Sequence, residues 1–181
     1  MDVGIRPLWP SMTRVAGPAF TVRCPPGDNL MVHAAIHRAE AGSIVVVDTG
    51  GDVSHAVAGG NVCAVAQRRA IAAFVVDGVI RDLAEARALD FPIFARGVVP
   101  VPGAKTAVEP LNERVRCGGV DVSAGDIVVA DEEGIVVVPR AMREQVLRDA
   151  QARLAREAKE SLDEWERAHR ARIEELLRAN R

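Results

Sequence analysis

Ile71-Ala72-Ala73-Phe74-Val75-Val76-Asp77-Gly78-Val79-Ile80-Arg81-Asp82 is the stretch that decides how this chain folds. Its first six residues are apolar without interruption and rich in β-branched and aromatic side chains, as in a strand covered on both faces. Asp77-Gly78 is expected to end that strand. A short helix follows from about 82 to 89, and another strand at 91–95. Upstream the same alternation holds. A strand at 16–22 leads through Pro25-Pro26-Gly27 into a helix capped by Asp28 or Asn29, which runs to about 41 and is closed by Gly42. Residues 43–48 (SIVVVD) form the next buried strand. After the loop Thr49-Gly50-Gly51-Asp52, a helix runs from Gly59-Gly60 to about 69. Strand, helix, strand, helix, strand is the signature of an α/β sheet with parallel pairs.

Beyond residue 100 the pattern changes. Short strands at 115–120, 126–130 and 134–138 are separated by Gly-rich or acidic turns and read as an antiparallel meander packed on the central unit. From 140 onward Ala, Arg, Glu and Leu dominate, and apolar residues from Leu147 to Leu177 recur every three or four positions. That is one long helix, or two with a break near Ser161, packing on its own or a neighbouring subunit. The expected organisation is one main domain at 1–139 and a helical extension at 140–181. Residues 1–15, with Pro7 and Pro10, are expected to be irregular.

Aromatic residues are 3% of the 181 and tyrosine is absent, so the core must be built from Val, Ala, Leu and Ile. The net charge of -2 gives no basic field for nucleic acid or an anionic membrane. Cys24, Cys63 and Cys117 form no C-x-x-C pair, which leaves buried thiols as the simplest reading. No cationic stretch followed by an apolar one opens the chain, so no signal peptide is expected, and the apolar runs are too short to span a bilayer. A cytoplasmic location is expected.

Arg81 and Asp82 emerge where a buried strand ends, the side of an open α/β sheet on which ligands bind. Arginine offers a planar fork for a carboxylate or enolate oxygen, and aspartate an oxygen ligand for a hard cation. The bland reading is a helix start, with Asp82 near the positive end of the dipole and Arg81 solvated. Gly59-Gly60-Asn61-Val62, at a helix N-terminus, could hold a small anion on free amides, or serve only as a turn. Its spacing fits neither a Walker loop nor a dinucleotide fingerprint. His33 and His37 lie four apart on a helix but lack the glutamate of H-E-x-x-H, and are expected to pack or face solvent. His55 could touch a substrate from its loop, Ser54 has no nucleophile-elbow context, and 131–134 (DEEG) reads as a turn.

These motifs together resemble the RraA-like family, which includes 4-hydroxy-4-methyl-2-oxoglutarate aldolases and oxaloacetate decarboxylases. The resemblance is carried by Gly59-Gly60-Asn61-Val62 followed at its distance by Arg81-Asp82. Ala16-Gly17-Pro18-Ala19, Gly27-Asp28-Asn29, 91–97 (FPIFARG) and 125–139 support it, and it covers about 14–160. It implies a swivelling β/β/α sandwich, assembled as a homotrimer or hexamer with sites between subunits. It implies that the backbone at Gly59, Gly60, Asn61 and Val62 holds the carboxylate of a small 2-oxo acid. Arg81 would bind the same substrate and stabilise the enolate, and Asp82 would bind Mg²⁺ or Mn²⁺. Asn29 would contact substrate, and Glu157 would reach a neighbouring subunit's metal shell. A divalent cation would act as the Lewis acid for C–C cleavage. Lys105 and Lys159 are placed outside this constellation, which disfavours a Schiff base.

The family usually carries a helical segment before the first strand, where this chain has about a dozen residues, and the C-terminal helix is longer than the family needs. The family also contains regulators that bind and inhibit a ribonuclease, and that non-catalytic role is the alternative. Asp82 favours the enzyme, because an inhibitor needs no metal ligand there. Specificity is expected in loops such as 100–107.

Overall fold

The computed structural model describes residues 1–179. Their backbone forms two compact units, one of Met1–Ala141 and one from Met142 onward.

The first unit is organised by one seven-stranded sheet. Its strands are β1 (Arg6–Pro7), β2 (Val15–Arg23), β3 (Ile44–Asp48), β4 (Ala73–Ile80), β5 (Ile93–Val98), β8 (Ile127–Asp131) and β9 (Gly134–Val138). The remaining strands, β6 (Val115–Cys117) and β7 (Val120–Val122), form a separate hairpin. In the sheet the order is β1-β5-β4-β3-β2-β8-β9. Strands β2 to β5 are mutually parallel, whereas β1, β8 and β9 join antiparallel. The Met1 ammonium donates to the carbonyl of Ile135 in β9 at 3.1 Å, so the two sheet edges approach and the sheet nearly closes. This is the mixed α/β sandwich expected from the sequence.

Every residue of β3 and β4 is buried, as continuous Val/Ile/Ala/Phe runs require. Helices α1 (Leu30–Arg38), α2 (Gly60–Arg68) and α3 (Leu83–Ala88) connect the parallel strands. Phe74 and Phe91 meet edge to face at 4.8 Å in the core. Cys24, Cys63 and Cys117 are buried and unpaired.

Three local expectations need correction. Strand β4 does not stop at Asp77-Gly78 but runs to Ile80, because the register against β5 shifts between Val76 and Val79 and pairing resumes beyond the irregularity. The stretch at 115–138 is no single meander: β6 pairs with a strand that the sequence pattern did not show, β7, while β8 and β9 extend the main sheet beside β2. Strand β2 serves two partners, pairing through Pro18 with β8 and from Ala19 with β3. The proline thus falls where the partner changes and a missing N–H matters least. Within the irregular first fifteen residues, Arg6–Pro7 pairs with β5.

The second unit is two helices, α4 (Arg143–Glu157) and α5 (Leu162–Ala179). Ser161 and Glu164 form a capping box: the Ser161 amide donates to Glu164 Oε2 at 2.9 Å and the Glu164 amide to Ser161 Oγ at 3.3 Å. Trp165 and His169 stack one turn apart, with ring centres 4.7 Å apart. Among the described residues no helix is long and apolar enough to cross a membrane.

Candidate functional site

The site is assembled by the backbone at 56–58. On one side the Val57 amide donates to Val79 O and the Arg81 amide to Ala58 O, at 3.0 and 2.9 Å. On the other, the Ala56 amide donates to Val101 O at 2.7 Å and the Gly103 amide to Ala56 O at 3.0 Å. One short segment therefore brings the N-terminus of α2, the end of β4 and the loop after β5 to one place. They enclose a pocket of about 160 Å³ whose lining includes Asn29, His33, Asn61, Val62, Arg81 and Lys105. That is roughly five water volumes, room for a small acid.

Asp82 stands in the left-handed region at φ 57°. Its side chain makes no cap for α3, the helix it precedes. Instead its Oδ2 accepts a hydrogen bond from the Gly60 amide, at 3.0 Å, and so caps α2 across the site. Arg81 Nη1 lies 3.4 Å from Asp82 Oδ1. The two glycines make room for this packing. A Cβ on Gly59 would sit 2.5 Å from Asp82 Oδ2 and 3.0 Å from Arg81 Cγ, and one on Gly60 would sit 1.7 Å from Glu85 Oε2. The two motifs, separate in sequence, are thus in contact.

This geometry sharpens the sequence expectations. The Gly60 N–H is committed to Asp82, so the amides left for an anion are those of Asn61 and Val62, which have no protein acceptor among the described residues. Asn29 is buried. Its Nδ2 donates to Ala56 O at 3.4 Å, and its Oδ1 has no partner among the described residues. A buried orphan acceptor in a pocket calls for a donor on the ligand. Glu157 belongs to the second unit, where it accepts from Arg153 at 2.7 Å.

Three further residues belong here that the sequence reading did not assign to the site: Glu85 was passed over, His33 was expected to pack or face solvent, and Lys105 was placed outside. Glu85 crowds Gly60 from α3; burial, then Asp82 and to a lesser degree Glu85 push the Cys63 thiol up to about 12. His33 lines the pocket, its basicity lowered by burial, by Lys105 and by His37. Lys105 also lines it, which corrects the placement of all lysines outside the site. Sequence offered no signal for Lys105, since 99–107 has no periodicity. His55 instead lies beside Asp52, 3.5 Å away.

Asp82 and Glu85 supply hard oxygen donors. Magnesium typically takes one or two carboxylates and keeps several waters. The carboxylates fit such a water-rich site, and no cluster of three or more His, Cys, Asp or Glu exists among the described residues to form a closed protein cage.

Comparison with known proteins follows this geometry. The family model described as RraA-like, Aldolase/RraA, matches residues 1–137. A protein of Halalkalibacterium halodurans, provisionally named a 4-hydroxy-4-methyl-2-oxoglutarate aldolase, is 40% identical over 166 residues, which is 91% of this chain and 79% of that protein. Among solved structures, RraAS2 of Streptomyces coelicolor, described as an unusual member of the RNase ES inhibitor RraA family, superposes with a TM-score of 0.73 at 28% identity, over 92% of this chain and 83% of that one. The RNA-processing inhibitor RraA from Thermus thermophilis gives 0.71 at 29% identity, over 77% and 84%. The chain belongs to the Aldolase/RraA family.

Proposed function

We propose that this chain is a divalent-metal-dependent lyase that cleaves 4-hydroxy-2-oxo acids, such as 4-hydroxy-4-methyl-2-oxoglutarate, to pyruvate, and decarboxylates oxaloacetate through the same enolate. The observation that carries this reading is the hydrogen bond from Gly60 to Asp82, which joins Arg81-Asp82 to the anion-binding end of α2 at one small pocket. The naming of the Halalkalibacterium relative supports the aldolase chemistry.

The Asn61 and Val62 amides and Arg81 would bind the carboxylate of the pyruvyl end. Asn29 Oδ1 would accept a hydrogen bond from a substrate hydroxyl. When the C3–C4 bond breaks, its electron pair moves onto the 2-oxo group as the enolate, the 4-hydroxyl passes its proton to a water and becomes the carbonyl of the second product, and the enolate then takes a proton from water at C3 to give pyruvate. The guanidinium of Arg81, which lines the pocket, would stabilise the charge that develops. Asp82, with Glu85 beside it, would hold Mg²⁺ or Mn²⁺, and Glu157 would approach from a neighbouring copy in a homotrimer or hexamer. The cation supplies Lewis-acid stabilisation of the enolate.

The test is pyruvate release from oxaloacetate and from 4-hydroxy-4-methyl-2-oxoglutarate, with Mg²⁺ and with EDTA, corrected for the metal's own rate. Metal-dependent turnover lost in Arg81→Ala supports the lyase. No turnover above background from a folded protein would turn attention to the second reading, a non-catalytic ribonuclease regulator, which the likeness to two RraA structures keeps in view.

A further inference from the structure

The pocket contains more positive charge than a pyruvyl carboxylate needs. Arg81 faces it from the end of β4, with Asp82 as its neighbour. Lys105 faces it from the loop after β5 and has no carboxylate within ion-pair distance among the described residues. A lysine left unpaired in water costs nothing, but this one is not left to wander. Its segment is tied down closely. The Asn29 amide donates to Ala104 O at 2.8 Å, and the Ala104 amide to Gly27 O at 2.7 Å. Asp28, buried, accepts at one oxygen from the Thr106 amide, the Thr106 hydroxyl and the Ala107 amide, at 2.7, 2.9 and 3.1 Å. Gly103 passes so close that a Cβ there would lie 3.1 Å from Asp28 C and 3.2 Å from the Asn29 amide nitrogen. A buried carboxylate that fixes one side of an exposed lysine, while the backbone of Gly27 and Asn29 fixes the other, is evidence that the lysine's position matters.

We infer that Lys105 is a specificity-determining residue: held over the pocket beside His33 by the Asp28 clamp, its ammonium reads a second carboxylate of the substrate. Asp28 is the positioning residue. The inference rests on the pyruvyl end lying at Arg81 and the α2 amides, because that assignment leaves Lys105 as the spare cation. Selection works in both directions. A diacid pairs the ammonium, whereas an acid ending in a methyl group must displace its water and give nothing back.

The experiment compares two five-carbon acids that share the pyruvyl end and differ only at the other: 2-oxoglutarate, with a carboxylate, and 2-oxopentanoate, with a methyl. Their affinities are measured by calorimetry with Mg²⁺ present, for the unaltered chain, Lys105→Met and Lys105→Arg. In parallel, pyruvate release is followed from 4-hydroxy-2-oxoglutarate and 4-hydroxy-2-oxopentanoate. The unaltered chain is expected to prefer 2-oxoglutarate by about 10- to 100-fold, the range of one charge-assisted hydrogen bond. Lys105→Met should erase that ratio and Lys105→Arg should keep most of it. No preference in the unaltered chain, or one that survives Lys105→Met, overturns the inference. A Lys105-dependent preference without pyruvate release upholds it and sinks the lyase reading instead. Pyruvate release with no Lys105-dependent preference does the reverse. Failure to bind either acid removes both.

Discussion

The Asp82 carboxylate caps a helix to which it is not adjacent in sequence: its Oδ2 accepts from the Gly60 amide at 3.0 Å, while the helix that Asp82 itself precedes has no side-chain cap. One side chain therefore joins the two halves of the site and is also the expected metal ligand. The two roles separate by substitution. Asparagine keeps an oxygen acceptor for Gly60 and tolerates the φ of 57° that Asp82 adopts. Alanine does neither. Asp82→Asn should lose about 100-fold or more in Mg²⁺-dependent pyruvate release, with stability within about 0.5 kcal/mol of the parent. Asp82→Ala should lose the same activity and also about 1–2 kcal/mol of stability, in the range of a lost cap. Thermal unfolding beside the pyruvate assay checks both, and an active Asp82→Asn would remove Asp82 as a metal ligand.

Gly59 is needed for what its missing side chain leaves open. Its backbone is extended at φ -145°, which any residue adopts. A Cβ there would meet Asp82 Oδ2 at 2.5 Å and Arg81 Nε at 3.0 Å. Gly59→Ala should therefore move the two side chains on which the proposed chemistry depends. The expected stability loss is about 1–3 kcal/mol, as for overpacking. The rate of pyruvate release should fall by roughly 100-fold in the still-folded fraction, since displacements of about 1 Å cost that much. Measuring kcat well below the melting transition distinguishes misplacement from unfolding.

The parallel core was legible because its signal is local. Residues 44–47 and 71–76 are unbroken apolar runs, and full burial of β3 and β4 follows from them. The continuation of β4 to Ile80 was not legible, because Asp77-Gly78 looks like a stop and only the irregular pairing with β5 carries the strand past it. Arg81, Asp82 and the glycine pair were legible as motifs, and their contact came from pairing of 56–58 with β4. Glu85 could have been noticed as a second carboxylate one turn beyond Asp82. Lys105 could not, because its place depends on Asp28, Thr106 and Ala107, residues that meet only after folding.

The same clamp gives a pH dependence. Burial raises the carboxyl of Asp28, but bonds from the Leu30, Thr106 and Ala107 amides and the Thr106 hydroxyl outweigh it and hold the group at about 2, against an ordinary 3.8. A group depressed in the folded state stabilises above its unfolded pKa and loses that contribution as pH falls through the folded one. Asp28 should thus contribute about 2 kcal/mol at neutral pH. Urea unfolding of the parent and Asp28→Asn should show that gap in full well above pH 3.8, narrowing below it and closing near pH 2. A gap independent of pH would mean that the variant fails for reasons of shape.

Lys105 in the pocket reopens a question that its expected absence had answered. A pyruvate aldolase can use a lysine to form a Schiff base, or a cation to stabilise the enolate. The position of Lys105 alone permits the first. The arrangement around Arg81 and Asp82 points to the second, because Asp82 supplies a ligand for a cation and Lys105 is exposed, without the desolvation that would activate its amine. Incubation with pyruvate and borohydride, followed by intact mass measurement, should therefore leave the chain unmodified. EDTA should abolish turnover, and Lys105→Arg, which cannot form a Schiff base, should keep releasing pyruvate from a diacid. An adduct mapped to Lys105, with turnover that survives EDTA, would replace the metal mechanism and make Lys105 the catalytic residue.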